Sequence, residues 1–300
     1  MKKNRIVYWI VGGVIAGFVL SLIASGLLQP KVVNADDSMQ GPERIQIKSE
    51  ILNPPLTDNS SISDVLSLMA QSQLRWNTIH ITYFAHFQAP NDQSSSSDNQ
   101  QEFWLTSDGK GRVEIGSLTG TPNFIWVNDK TNTWTEDLMK GAYYIMNVPR
   151  TIQSMGAAIA HTIPQTNPET IVPNPFALMI PSGLNEYIYP ASIAQEMSII
   201  NIEDKAKQTV EILGSDTIAG RKVVIIQRKI QSTDEQATIY KLHKYWIDAE
   251  TGIMLKVEVD DPMTGFWVQQ IEANSVDINV DIPLSMFVFQ PDPNAKLIKP

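Results

Sequence analysis

A chain of 300 residues with 43% hydrophobic and 18% charged positions can bury an ordinary core, which excludes a disordered chain. It has no cysteine, so disulfides, thiolate metal sites, a cysteine nucleophile and a lipid-modified cysteine are excluded. The net charge is −9 although Lys2, Lys3 and Arg5 stand at the N-terminus, so the remainder is more acidic still and a poor partner for nucleic acid.

In chain order, residues 1–5 read as a short cytoplasmic tip. Residues 6–28, IVYWIVGGVIAGFVLSLIASGLL, hold 23 positions without a charge. At ~1.5 Å per residue this run spans a hydrocarbon core of ~30 Å. The basic residues before it hold the N-terminus in the cytoplasm, so the body is expected outside. Two readings stand side by side. One is an uncleaved signal anchor with a single-pass topology. The other is a signal peptide cut after Val33-Asn34-Ala35, giving a secreted body. The apolar run exceeds the ~7–15 residues usual for a signal peptide, which favours the anchor.

Residues 29–60 are polar and contain Pro30, Pro42, Pro54 and Pro55, so they read as an extracytoplasmic tether, with Arg44 to Ile47 as a candidate edge strand. Ile62, Val65, Leu66, Met69 and Gln73 then follow a helical period. Ser61 and Asp64 frame a cap, which predicts a helix from Ile62 to about Arg75.

Strands dominate next. NTIHITYFAHFQA is β-branched and aromatic, and the polar run Asn91 to Gln100 reads as a long hairpin loop. Phe103 and Leu105 alternate with polar residues, Asp108-Gly109 turns, and Val113 and Ile115 return on the matching face. Further strands are expected around Trp126, Trp134 and Tyr143. Residues 151–197 carry six prolines and read as an apolar insertion of short helical turns, placed to cover a cavity. Strands resume from Lys207, joined by Gly-, Asp- and Asn-rich turns. Runs of strands interrupted by helices predict an α+β fold with an antiparallel sheet.

No chemical motif stands out. GxGxxG, the P-loop, GxSxG and HExxH are all missing from the sequence. His80 and His86 share a strand face about 20 Å apart at ~3.3 Å per residue, too far to share a metal. No pair of acids is singled out for glycosidase chemistry. Neither an enzyme nor a cofactor is expected. The stretch His243 to Asp261, HKYWIDAETGIMLKVEVDD, concentrates charge, yet it reads as a hairpin around Asp248-Ala249-Glu250-Thr251-Gly252. Ile247 is expected opposite Ile253, Tyr245 opposite Leu255, His243 opposite Val257 and Trp246 opposite Met254.

KYWIDAETGIMLKVEVDD and the later IEANSVDINVDIPLSMFVFQPDP resemble the C-terminal half of the LolA-like superfamily. That group includes lipoprotein carriers of the LolA and LolB type and the RseB/MucB regulators. The resemblance rests on a Trp-x-Asp strand end, a glycine turn and a tail built on Asn279, Ile282, Pro283, Phe287, Phe289 and Pro291. GSDTIAGRKVVIIQRK and the helix-then-strand opening from Ser61 extend it over about residues 61–293.

The resemblance implies a LolA-like domain over residues 61–295, a strongly curved antiparallel sheet, or open half-barrel, wrapped around helices. It further implies a concave side that holds a lipid, an acyl chain or another apolar ligand. Candidate cavity residues are Phe103, Leu105, Trp126, Trp134, Tyr143, Phe176, Met179, Tyr187, Tyr245 and Leu255. Ordinary core packing is the competing account of each. The alternative role that the resemblance carries is regulatory: binding the external domain of an anti-sigma factor or another membrane protein.

Overall fold

The computed structural model describes residues 44–48, 50, 52, 55–89, 92–148, 180, 185–203, 206–234, 237–260 and 268–298. The apolar run 6–28 lies outside them. Among the described residues no helix is long and apolar enough to cross a membrane.

Among the described residues thirteen strands form one open sheet. They are β1 (Thr78–Ala89), β2 (Asp92–Thr106), β3 (Gly111–Gly116), β4 (Pro122–Asn128), β5 (Asn132–Asp137), β6 (Ala142–Asn147) and β7 (Asn201–Glu203). They continue as β8 (Ala206–Ile218), β9 (Arg221–Asp234), β10 (Ala237–Asp248), β11 (Met254–Asp260), β12 (Val268–Ile278) and β13 (Lys296–Leu297). The spatial order is β13-β6-β5-β4-β3-β2-β1-β12-β11-β10-β9-β8-β7. It amounts to two up-and-down meanders, β1–β6 and β7–β12, joined where β1 pairs with β12. The pairs are antiparallel except β13 with β6. Its edge strands, β13 and β7, do not pair with each other, so the half-barrel that the resemblance implies is present as a large open sheet.

Among the described residues two helices, α1 (Ile62–Ala70) and α2 (Ala191–Ser198), accompany it. The start of α1 is fixed as the sequence suggests. Ser61 accepts from the Asp64 amide at 3.1 Å, and Asp64 accepts from the Ser61 amide at 2.9 Å. Its end comes earlier than the period suggests: α1 stops at Ala70, and Ser72–Leu74 tighten into a 3-10 turn. Val65, Leu66, Leu68 and Met69 are fully buried, so the apolar stripe of α1 is core. Arg44 to Ile47 reaches the sheet region by a single bridge, Arg44 with Ile199, rather than as a strand.

Two expectations are corrected. The polar run expected as a loop is strand from Asp92 onward, because pairing with β1 overrides its composition. Phe87 pairs with Ser97, and His86 pairs with Asp98 and meets its carboxylate at 2.6 Å. The hairpin of β10 and β11 turns where expected, but a bulge between Trp246 and Ile247 resets its register. Tyr245 therefore faces Val257, His243 faces Val259, Trp246 faces Lys256 and Ile247 faces Met254. A shift of two positions keeps Tyr245 on its expected face.

Candidate functional site

Strand alternation sorts the sheet into two faces. Ile79, Ile81, Tyr83 and Ala85 of β1 point the same way as Phe103 and Leu105 of β2, Val113 of β3 and Trp126 of β4. Through the β1–β12 pair the same face continues to Ile271, Val257, Tyr245 and Ile226. These residues form one hydrophobic cluster with α1 and with Tyr187, Ile188, Tyr189 and Met197 of the segment carrying α2.

Its centre is aromatic. Tyr83 meets Phe103 edge-on at 5.8 Å and Tyr187 at 5.8 Å, while its hydroxyl donates to the Met254 carbonyl at 2.9 Å. Trp76 packs on Tyr189 at 5.6 Å. Gly111 is required by this packing: a Cβ there would lie 2.8 Å from Leu105 and 2.9 Å from Trp126.

One end of the cluster is polar. Arg228 lies on the inner face of β9 and is 7% exposed. Its Nε donates to Gln208 Oε1 at 2.8 Å and its Nη1 to Glu196 Oε2 of α2 at 3.2 Å. The Gln208 amide donates to the carbonyls of Glu196, at 2.7 Å, and of Ile199. His243 Nδ1 lies 2.9 Å from the Tyr245 hydroxyl, and burial pushes that hydroxyl up to about 12. These contacts fasten the C-terminal end of α2 to the sheet. Sequence reasoning missed Arg228. The signal was present: an arginine between Ile226 and Ile230 at an inward position of an apolar strand.

Of the sequence-predicted residues, Phe103, Leu105, Trp126, Tyr187, Tyr245 and Leu255 come together in this cluster. Phe176 and Met179 lie outside the described residues. Trp134 and Tyr143 stand elsewhere. Trp134 pairs with Val127, whose neighbour Trp126 takes the inner face, so Trp134 points outward, and Tyr143 is on its side. Both rings pack on Phe289, at 5.9 Å and 5.6 Å. The tail 279–298 crosses this outer face. It is pinned by buried Phe287, by the Asp292 amide donating to Glu136 at 2.9 Å and by β13 on the edge of β6.

The charged turn of the β10–β11 hairpin is structural. Asp248 is fully buried; its Oδ1 accepts from the amides of Glu250 and Thr251 and from the Thr251 hydroxyl, at 3.1, 2.7 and 2.7 Å. Arg221 closes it with Nε to Asp248 Oδ2 at 2.5 Å, and the carboxylate holds that guanidinium above its ordinary value. Gly252 adopts φ +78°, and a Cβ there would lie 2.4 Å from the Leu68 carbonyl, so α1 seats directly on this turn. Among the described residues no three His, Asp or Glu side chains gather as a metal site.

Compared with known proteins, the chain matches no family pattern and no curated protein. Its fold is similar to several solved structures. MucB is 14% identical over 78% of this chain and 64% of its own, with a TM-score of 0.38. A LolA superfamily protein from Nitrosomonas europaea is 8% identical over 77% of this chain and 98% of its own, with a TM-score of 0.33. An uncharacterized conserved protein from Thermus thermophilus is 7% identical over 80% and 100%, with a TM-score of 0.39. The chain spans 64% of the length of MucB. The likeness is one of outline, and no ligand or partner follows from it.

Proposed function

We propose that this chain is a non-catalytic, extracytoplasmic binding module, held at the membrane by residues 6–28, that takes a lipid or acyl chain between its sheet and its helices. The observation that carries the reading is the cover of the inner face. A single apolar cluster runs from Trp126 on β4 to Ile226 on β9, and among the described residues it is roofed by two short helices rather than by a second sheet. The roof over Tyr83 is Tyr187, in a 3-10 turn just before α2.

In this reading α2 and the residues before it lift, and an acyl chain replaces Tyr187, Ile188 and Met197 against the aromatic floor. Each buried CH₂ contributes about 0.8 kcal/mol, so a long chain offsets the loss of those native contacts. Arg228, at the polar end, remains beside the entering headgroup.

The test is to extract protein purified from cells and identify bound acyl species by mass spectrometry, then titrate delipidated protein with palmitate. The expected result is saturable one-to-one binding, weakened at least tenfold by Phe103→Ala under conditions where far-ultraviolet circular dichroism shows that variant folded. No co-purifying acyl chain and no saturable binding would sink the reading. A crosslinked membrane-protein partner in that event favours the regulatory role.

A further inference from the structure

At the opposite end of the molecule from the β1–β2 connection, a cleft of about 650 Å³ opens between the residues leading into β1, the β10–β11 turn and the end of β12. Leu74 and Ile278 supply apolar wall, and Arg75, Arg221, Glu250 and Thr251 supply polar wall. None of the residues proposed above to hold an acyl chain lines it.

The two arginines differ in how their charge is matched. Arg221 is bound to two carboxylates, Asp248 and Glu250. Arg75 touches only neutral acceptors among the described residues: its Nη2 donates to the Leu52 carbonyl at 2.7 Å and to Gln71 Oε1 at 3.0 Å. Its Nε is shut off from solvent and makes no hydrogen bond among the described residues. Burial pushes this guanidinium below its ordinary value, as expected for a cation without a matching anion. A buried donor is ordinarily paired, so the orphan Nε marks a guanidinium whose polar demand the surrounding residues leave unmet, and its unmatched charge asks for a negative partner from the side that faces the cleft.

We infer that this cleft is a second binding site, for an anion of the carboxylate or phosphate class, taken by Arg75 with Arg221 beside it and with Leu74 and Ile278 flanking any attached apolar group. Glu250 is the competing carboxylate. Its side chain is 67% exposed, so it can swing off Arg221 when an external anion arrives. An acidic protein of net charge −9 gains nothing for anions from its overall field, so occupancy depends on these local donors and weakens with salt.

The experiment follows the Arg75 Nε–H and Thr251 amide resonances by NMR in the intact chain. The probes are inorganic phosphate, octanoate, and nanodiscs containing or lacking phosphatidylglycerol. The expected result is a saturable shift at Arg75 Nε–H that Arg75→Gln abolishes and that Glu250→Gln reaches at a three- to tenfold lower concentration. Saturation by phosphate or octanoate identifies a free anion as the source, and saturation by phosphatidylglycerol nanodiscs alone identifies a lipid headgroup. The inference is overturned if no probe gives a saturable shift, or if Glu250→Gln leaves the midpoint unchanged. The second outcome decides the matter even if Arg75→Gln fails to fold.

Discussion

The inner face of the sheet and the outer face of β3–β6 are both covered, but by different means. The inner face is buried under α1 and the segment carrying α2, which supply a thick aliphatic and aromatic layer around Tyr83, Phe103 and Tyr187. The outer face of β3–β6 is covered by an extended tail that contributes two rings, Phe287 and Phe289, and a few backbone bonds. A helical layer brings whole side-chain rows and can move as a unit. A tail pinned at a few separated backbone points can only peel. The face with the helical layer is therefore the one suited to exchange its cover for a ligand, and the tail-covered face is suited to hold the sheet in shape.

Substitutions separate the two faces. Phe103→Ala removes a fully buried ring that meets Tyr83 edge-on and is expected to cost about 3–5 kcal/mol in denaturant unfolding, with acyl binding lost as well. Gly252→Ala forces a side chain at positive φ into the Leu68 carbonyl. It is expected to cost about 3 kcal/mol and to loosen α1, read as faster amide exchange in residues 62–70. Phe287→Ala empties the outer cover and is expected to cost about 2–3 kcal/mol, the lower range for a thin layer, while acyl affinity stays within twofold. Equal loss of binding in Phe103→Ala and Phe287→Ala would erase the distinction between the faces.

The smallest expected effect concerns pH. Hydrogen bonds from Lys48 and then Ser61 hold the Asp64 carboxyl down to about 2, below its ordinary value near 3.8. A carboxyl lowered in the folded state adds stability that is present above its unfolded value and is lost as pH falls through its folded value. The advantage of the native chain over Asp64→Asn is therefore expected to be constant above about pH 4 and to vanish toward pH 2. Thermal unfolding across that window checks it.

The sequence reading placed most elements well because strand alternation and turn residues act locally. The β4–β5 and β8–β9 hairpins and the cap of α1 fall where the residues put them. It failed where a distant partner decides. Ser96 and Ser97 form strand only because β1 offers them a ladder. The β10–β11 register slipped because a bulge at Trp246 is invisible in the apolar pattern. Trp134 and Tyr143 look like inner-face aromatics when only one face is assumed to hold rings, but Phe289 gives the outer face a half-buried aromatic group of its own. Six of the eight candidate residues that the structure describes share one cluster, five of them because inward alternation on β2, β4, β10 and β11 is a local signal, and Tyr187 from a 3-10 turn.

The central claim is that the helical layer, not the tail, yields to an apolar ligand. Amide hydrogen exchange of the delipidated chain, with and without saturating palmitate, tests it most directly. The account predicts altered protection in Asn185–Tyr187, in α2 and in the facing strands β1, β2 and β10, with the tail residues 284–298 unchanged. Altered protection confined to the tail, or none in α2 while palmitate is bound, would contradict it.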